Sequence, residues 1–398
     1  MVKWMIIAMF HFISVLLDNL TGIVFHFQAK TTVDIIKEQN YPVEIHRTTT
    51  DDGYVLTLHR IPHSKTSSTA PKGTVLLMHG LLCSSADWVV LEKKSLAFIL
   101  ADAGFDVWMG NNRGNTYSRY NIYLNPIFNE QLFFDFSYHD LGVFDLPAII
   151  DFILISTNTT KIRYVGFSEG TTQFFVMTSE RPQYNSKIKK AIFWAPVTDM
   201  YRVASGLVNL LAESESIEMF ENFAHIYELF AHATVGNKFR AFCKIYDKIC
   251  SLVFNMIGSS LDRMPNKALK DKILQNFPAG MSMKQFYHYM QGARSGIFRP
   301  YDYGREKNLK MYHKLLPDPY NLSRFTVPTT MYYGDSDIFV NSKILRNDVV
   351  AQIPSATLNI VPLRNFNHLD FIYSTSADWL TNATLNNLLQ SDEENSSN

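Results

Sequence analysis

The chain has 398 residues, and its 37 Lys and Arg residues equal its 37 Asp and Glu residues, so its formal net charge is zero. This balance gives no sign of the basic surface that attracts nucleic acids or anionic membranes, so we expect no nucleic-acid partner. No obligate protein partner is predicted either. The length allows one large hydrophobic core, or a core with a cap.

The first 22 residues are typical of a secretory signal peptide. Lys3 precedes an apolar run over residues 4–17, which is shorter than the roughly 20 residues that span a bilayer. We therefore predict a signal peptide at residues 1–22. The alternative is a signal anchor that is not cleaved.

Sequence motifs for N-glycosylation support export from the cell. Each has an Asn two residues before a Ser or Thr, and the candidates within the mature chain are Asn158, Asn321 and Asn382. Further motifs at Asn19 and Asn395 lie near the two ends. Together with the signal peptide they predict a protein of the secretory pathway, extracellular or lysosomal.

Residues 23–200 alternate between short apolar strands and helices, as expected for the first part of an α/β core. This alternation indicates a mostly parallel sheet with helices on both faces. Predicted strands cover residues 42–46, 54–61, 74–78, 105–109, 163–165 and 190–194, and predicted helices cover 32–40, 95–102 and 138–154, with another helix after 168.

The alternation stops after Pro196, and residues 201–300 form a helical pattern rich in Leu, Phe and Met. Strands return near residues 329–333 and 357–361, within a second core segment at 301–389. A helical insertion between sheet strands predicts a cap over the site. Its apolar faces serve either ordinary core packing or a lipid-facing lid. We expect the polar tail at 390–398 to be disordered.

The chain has three cysteines, Cys83, Cys243 and Cys250, too few for a disulfide scaffold. Cys243 and Cys250 are predicted to lie in one helix, which would hold their Cα atoms about 10 Å apart. They can therefore pair only if that helix breaks between them. No Cys/His group has the spacing of metal ligands, so no metal site is predicted.

The most informative motif is Gly166-Phe167-Ser168-Glu169-Gly170, which follows a predicted strand and precedes a predicted helix. A serine between two glycines on such a turn is the nucleophile elbow of an α/β-hydrolase. The glycines are required because a side chain on either would strike the neighbouring strand or helix. In isolation the motif could also be an ordinary turn of small residues, so it needs catalytic partners elsewhere in the chain.

A serine hydroxyl near neutral pH needs an adjacent base to become a good nucleophile. In this fold the acid and then the histidine follow the serine along the chain, on loops at the ends of later strands. His368 is the predicted base, although a lone loop histidine can also be a plain surface residue. For the acid we choose Asp337 over Asp335, because a carboxylate directly after a strand tends to cap the turn.

The negative oxygen that forms during ester cleavage needs hydrogen-bond donors that are already in place. The backbone N–H of Glu169 is one predicted donor. The second is the backbone N–H of Leu81, in the loop after the early strand that ends in His79-Gly80. His79 itself is expected to brace that loop.

Further motifs resemble the acid lipase family of α/β-hydrolases, which includes lysosomal acid lipase and gastric lipase. The resemblance covers nearly the whole mature chain and rests chiefly on Asp52-Gly53-Tyr54, on residues 101–108, on Arg113-Gly114-Asn115-Thr116-Tyr117-Ser118 and on Tyr301-Asp302-Tyr303-Gly304. By position, the family's triad falls on Ser168, Asp337 and His368. Its oxyanion donors fall on Leu81 and Glu169.

The chain departs from the family pattern at the nucleophile elbow, where Phe167 and Glu169 replace the usual His and Gln. An ionised Glu169 would oppose the charge that forms on the oxyanion, so we expect activity to fall as Glu169 ionises. The cysteine pattern of the cap also looks incomplete, and no disulfide is carried over from the family.

The resemblance implies a serine lipase that hydrolyses triacylglycerols or sterol esters through an acyl-enzyme, with its cap meeting the lipid–water interface. This chemistry requires no metal or organic cofactor. One alternative is a lipid-binding protein that retains the hydrolase fold without catalysis. Another is an enzyme that transfers the acyl group to an alcohol instead of water.

Overall fold

The computed structural model describes residues 29–213, 226–230, 243, 245–256, 258 and 267–393. The predicted signal peptide, Asn19 and Asn395 lie outside the described residues. So does a large part of the predicted cap.

The described residues contain a nine-stranded sheet in the order β1-β2-β4-β3-β6-β7-β10-β11, with β5 paired to β2. Strands β1, β2 and β5 are antiparallel to their neighbours, and the pairs from β4 to β11 are parallel. A smaller sheet pairs β8 with β9. The strands are β1 (Glu44–Thr49), β2 (Tyr54–Ile61), β3 (Thr74–Met78), β4 (Asp106–Met109), β5 (Tyr120–Asn121), β6 (Ile162–Phe167), β7 (Ile188–Trp194), β8 (Glu228–Leu229), β9 (Met281–Ser282), β10 (Thr329–Tyr333) and β11 (Ala356–Ile360).

Helices cover both faces of the large sheet, which confirms the predicted α/β class. They are α1 (Thr32–Glu38), α2 (Leu96–Asp102), α3 (Glu130–Phe133), α4 (Tyr138–Asp140), α5 (Leu146–Thr157), α6 (Glu169–Glu180), α7 (Gly206–Glu213), α8 (Asp247–Met256), α9 (Lys267–Asn276), α10 (Met283–Ser295), α11 (Arg305–Tyr312), α12 (Ser342–Ile344), α13 (Asp370–Tyr373) and α14 (Asp378–Glu393). Short 3₁₀ helices form at Ser85–Trp88, Glu92–Lys94, Pro182–Lys187, Leu322–Arg324 and Val350–Gln352.

Strand β3 shows how the sequence builds two hydrophobic layers. Its side chains alternate, so Val75 and Leu77 lie in the core on one face of the sheet while Leu76 and Met78 lie in the core on the other. All four are fully buried. A continuous apolar strand is therefore required at the centre of this sheet.

The predicted helix over residues 138–154 is divided in the structure. A π-helical turn at Leu141–Asp145 separates α4 from α5. A close approach to α6 accompanies this turn, since a Cβ on Gly142 would lie 2.5 Å from Val176 and 2.7 Å from the Gln173 carbonyl oxygen.

The prediction that Cys243 and Cys250 lie in one continuous helix is wrong. Helix α8 begins only at Asp247, after a non-helical residue at Tyr246. This break brings the two Cα atoms to 5.1 Å, and the cysteines form a disulfide. Cys83 is a buried free thiol.

The C-terminal helix extends further than the sequence suggested. Helix α14 runs to Glu393, so residues 390–393 are helical where disorder was predicted. The rest of the predicted tail lies outside the described residues. No helix in the described ranges is long and apolar enough to cross a bilayer.

Candidate active site

Ser168 occupies a strained turn between β6 and α6. Its φ of 51° and ψ of −115° are unusual for any residue other than glycine. A Cβ on Gly166 would lie 2.9 Å from the Gly170 carbonyl carbon, and one on Gly170 would lie 2.4 Å from the Met78 carbonyl oxygen. Both glycines are therefore needed for the helix to approach the strands so closely.

The structure brings Ser168, His368 and Asp337 into one chain of hydrogen bonds. His368 Nε2 lies 2.8 Å from Ser168 Oγ, although the two residues are 200 positions apart. His368 Nδ1 lies 3.0 and 2.9 Å from the two carboxylate oxygens of Asp337. Because a carboxylate only accepts hydrogen bonds, it places the imidazole proton on Nδ1 and leaves Nε2 free to accept the serine proton.

The topology of the sheet explains this convergence. Ser168 follows β6, Asp337 follows β10 and His368 follows β11, and these strands lie in one parallel set. The carboxyl ends of parallel strands share one edge of the sheet, so their loops meet there. Aromatic rings surround the base, with the centroids of Phe167 and Phe339 at 5.2 and 5.0 Å from that of His368.

Asp335 and Asp337 have separate roles in the loop after β10. The Asp335 carboxylate accepts hydrogen bonds from the backbone N–H groups of Asn365 at 3.0 Å and Phe366 at 2.7 Å. It thereby ties the loop after β10 to the loop that carries His368. Asp337 is the carboxylate that contacts the imidazole, and its Oδ1 also accepts a hydrogen bond from the Phe339 N–H.

The loop after β3 passes directly beside the serine. A Cβ on Gly80 would lie 3.1 Å from the Cβ of Ser168, so the Leu81 amide is close to the nucleophile. Glu169 is the first residue of α6, where backbone N–H groups have no acceptor within the helix. Both predicted oxyanion donors therefore adjoin Ser168, and their catalytic role stays a prediction.

His79 holds the loop that carries Leu81. Its Nε2 accepts a hydrogen bond from the Asn112 backbone N–H at 3.1 Å, so the ring proton is on Nδ1, which donates to the Gly80 carbonyl at 2.8 Å. Burial lowers the pKa of His79 to about 4. The ring is therefore neutral at physiological pH and acts as a brace, as the sequence suggested.

The Glu169 side chain is buried and lies against α10. Gln285 Nε2 donates to its Oε1 at 3.0 Å, and the Tyr289 hydroxyl lies 3.5 Å from the same oxygen. Burial raises the pKa of Glu169 to about 8. The carboxyl is therefore protonated at neutral pH and places no charge beside the oxyanion. Sequence reasoning missed these partners, although their spacing of four residues puts them on one face of a helix.

This protonation leads to a prediction for the alkaline side of the pH–rate profile. As pH rises through about 8, Glu169 gains a negative charge that opposes the oxyanion, and the rate should fall about tenfold between pH 7 and pH 9. Glu169→Gln cannot ionise, so this fall should disappear. The measurement is the pH–rate profile on a soluble ester. Glu180→Gln, at the exposed end of the same helix, is the matched control, and an unchanged profile in Glu169→Gln would contradict the prediction.

A buried ion-pair network supports the loop beyond β4. The Arg113 guanidinium is fully buried and bonds to Asp145 Oδ1 at 2.7 Å and to Asp52 Oδ1 at 2.9 Å. It also stacks 4.0 Å from the centre of the Tyr54 ring. This network joins the motif at Asp52-Gly53-Tyr54 to the motif that begins at Arg113, both of which support the family resemblance. Its contacts hold these two segments of the fold together.

Arg113→Met should therefore lower the free energy of unfolding by about 3–5 kcal/mol, because it leaves the Asp145 carboxylate buried without its cation. Denaturant unfolding measures this change. The matched control is Lys314→Met, which removes an exposed ion pair with Asp318 and should cost less than about 0.5 kcal/mol. Equal effects of the two substitutions would show that the buried network adds nothing.

Asn158, Asn321 and Asn382, the three glycosylation candidates in the described ranges, are exposed in the structure. Asn158 ends α5 in a left-handed conformation, and Asn321 precedes a short 3₁₀ turn. Asn382 lies on the exposed side of α14. Thr384, two residues later, is buried and accepts a hydrogen bond from the Trp194 indole N–H. Glycosylation at these positions remains a prediction. Within the described ranges, no cluster of three His, Cys, Asp or Glu residues could hold a metal ion.

A parallel sheet with a serine on a strained strand-to-helix turn, a histidine and an acid on later loops is the arrangement of α/β-hydrolases. A family model described as alpha/beta hydrolase fold matches residues 73–372, and one described as a partial alpha/beta-hydrolase lipase region matches residues 32–92.

Comparison with known proteins narrows this class. The chain is 38% identical over 355 residues to Lipase 1 of Drosophila melanogaster, across 85% of this chain and 75% of that protein. It is 35% identical over 345 residues to gastric triacylglycerol lipase of Rattus norvegicus, across 85% and 86% of the two chains. The chain belongs to the lipases of the α/β-hydrolase family, which are carboxylic ester hydrolases. This membership confirms the resemblance drawn from the sequence motifs.

Among solved structures, the fold is similar to that of an acetylester hydrolase from Corynebacterium glutamicum. The TM-score is 0.51 with 14% sequence identity, over 89% of this chain and 97% of that one. At this level of identity the similarity shows the fold alone.

Proposed function

We propose that the protein hydrolyses the ester bonds of neutral lipids, triacylglycerols or sterol esters, with Ser168 as the nucleophile. The observation that carries this proposal is the continuous hydrogen-bond chain from Ser168 Oγ through His368 to Asp337. The names of the related lipases support a lipid ester as the substrate.

The reaction follows from the positions of these atoms. His368 Nε2 takes the Ser168 proton while Oγ attacks the ester carbonyl carbon, and the backbone N–H groups of Leu81 and Glu169 hold the resulting oxyanion. His368 then gives its proton to the leaving alcohol. A water molecule attacks the acyl-enzyme by the same route and releases the fatty acid. Asp337 fixes the imidazole tautomer and stabilises its positive form.

The predicted signal peptide and glycosylation motifs support action outside the cytosol, either extracellular or lysosomal. The described residues of the predicted cap contact the loop that follows β4. There, Glu228 in β8 forms an ion pair with Arg119, and the Ala279 carbonyl accepts a hydrogen bond from the Thr116 N–H. Gating of the acyl-binding site by the cap, and its contact with the lipid–water interface, form part of the proposal.

The test is a substrate panel of emulsified triacylglycerol, emulsified cholesteryl ester and a soluble short-chain ester, measured from pH 4 to pH 8. Fatty acid release from at least one emulsified lipid is expected, and Ser168→Ala should abolish it. Equal turnover by both proteins would instead indicate a lipid-binding protein without serine catalysis. Added sterol distinguishes hydrolysis from acyl transfer, because transfer would convert the sterol to its ester.

A further inference from the structure

The segment from Tyr120 to Leu132 exposes an unusual concentration of apolar side chains. Six of the eighteen large hydrophobic residues that the described chain exposes lie in these 13 positions: Tyr120, Ile122, Tyr123, Ile127, Phe128 and Leu132. Ile127 and Phe128 are 75% and 85% exposed. Clustered apolar side chains in water mark a surface that is covered by something else in use.

Hydrogen bonds hold the exposed turn in shape. The Asn125 side-chain oxygen accepts from the backbone N–H groups of Ile127 at 2.8 Å and Phe128 at 3.1 Å. The Asn129 side chain accepts from the Asn125 N–H at 3.1 Å, which closes the turn from its other end. Ile127 and Phe128 are therefore presented outward on a fixed backbone, so binding through them would require little ordering of the loop.

The sheet register places this segment at the same edge as the nucleophile. Strand β2 is antiparallel to β4, with His59 opposite Met109, so the start of β2 extends beyond the carboxyl end of β4. Strand β5 pairs with that start, Asn121 lying opposite Tyr54. Ser168 follows the carboxyl end of β6 in the same parallel set, so the segment and the serine share one edge of the sheet.

The charge of the segment indicates what covers it. Residues 120–132 contain one carboxylate, Glu130, and no Lys or Arg. The preceding Arg119 is paired with Glu228. A surface without cations does not favour anionic headgroups, whereas exposed Ile, Phe and Tyr side chains suit a neutral lipid–water boundary.

We propose that residues 120–132 form an anchor that docks the enzyme on the surface of a neutral lipid aggregate, with the active-site edge facing the lipid. This inference rests on the proposed function, since it supplies the site with a water-insoluble ester. It adds a docking surface outside the cap.

The test measures binding of the full-length chain to phosphatidylcholine-coated triacylglycerol emulsions by flotation. All proteins carry Ser168→Ala, so that no substrate is consumed. Ile127→Ser combined with Phe128→Ser should lower the partition constant about tenfold or more, because two apolar side chains no longer enter the lipid. The matched control is Ile155→Ser, which alters an isoleucine that is 81% exposed at the end of α5, beside the opposite edge of the sheet.

The result expected is loss of emulsion binding in the double variant alone, with no dependence on salt or on added anionic lipid. In the active protein, the same double substitution should leave hydrolysis of a soluble ester unchanged. Unchanged emulsion binding would overturn the anchor, as would a wild-type dimer in solution that the double variant converts to a monomer. Absence of soluble-ester hydrolysis in the wild type would refute the proposed function separately.

Discussion

Asp337→Asn is expected to lower kcat by about 10⁴-fold, because an amide no longer holds the imidazole proton on Nδ1 and leaves no anion beside the imidazolium. In the structure both carboxylate oxygens of Asp337 lie within 3.0 Å of His368 Nδ1. The substitution preserves the size of the side chain, so the loss reports on the tautomer and the charge. Steady-state hydrolysis of a soluble ester measures it.

The chain contains a matched control two residues away. Asp335 accepts hydrogen bonds from two backbone N–H groups and does not contact His368. Asp335→Asn should therefore reduce stability while keeping kcat within about tenfold of the wild type. If the two substitutions were reversed in effect, the assignment of the acid would be wrong.

Leu81→Pro is expected to lower kcat by about 10²–10³-fold, because it removes one backbone donor from the oxyanion site. The turn around Leu81 can accept proline. The Cys83 N–H donates to the Gly80 carbonyl at 3.1 Å, and Leu82 has a φ of 63°, which are the features of a type II turn. Leu81 is the second residue of that turn, where proline is common.

Leu81→Ala is the control, since it shortens the side chain but keeps the N–H group. It should retain most of the activity. Thermal unfolding of all three proteins shows whether Leu81→Pro keeps the fold. Similar kcat values for the proline and alanine variants, with both folded, would show that the Leu81 N–H does not hold the oxyanion.

The site residues could be located from the sequence because each one follows a recognisable strand. The Gly166–Gly170 motif is local, and the loops of Asp337 and His368 come after short segments with a strand pattern, although no residue of β11 is fully buried. The choice between Asp335 and Asp337 also followed from local chemistry, since a carboxylate next to a strand end finds backbone N–H groups first. In the structure the Asp335 carboxylate instead binds the backbone N–H groups of Asn365 and Phe366, 30 and 31 positions away, so it does not cap its own turn as predicted.

The features that the sequence did not reveal depend on contacts between distant segments. Burial raises the pKa of Glu169, and its hydrogen bonds with Gln285 and Tyr289, more than 110 positions away, offset part of that rise. The helix break before Asp247 permits the Cys243–Cys250 disulfide. It could not be predicted, because residues 243–250 contain no Pro or Gly, the residues that usually interrupt a helix. Helix α14 continues through polar residues that composition alone assigns to a disordered tail.

Gly258, in the predicted cap segment, lies directly against His368, the predicted base. Its carbonyl accepts the Leu369 N–H at 2.8 Å, its φ is 94°, and a Cβ there would come within 3.0 Å of the His368 Cβ. A side chain at this position would be strained by the positive φ and would press on the His368 Cβ. We therefore expect a substitution of Gly258 to shift His368 and to lower turnover together with any change that it makes in substrate preference.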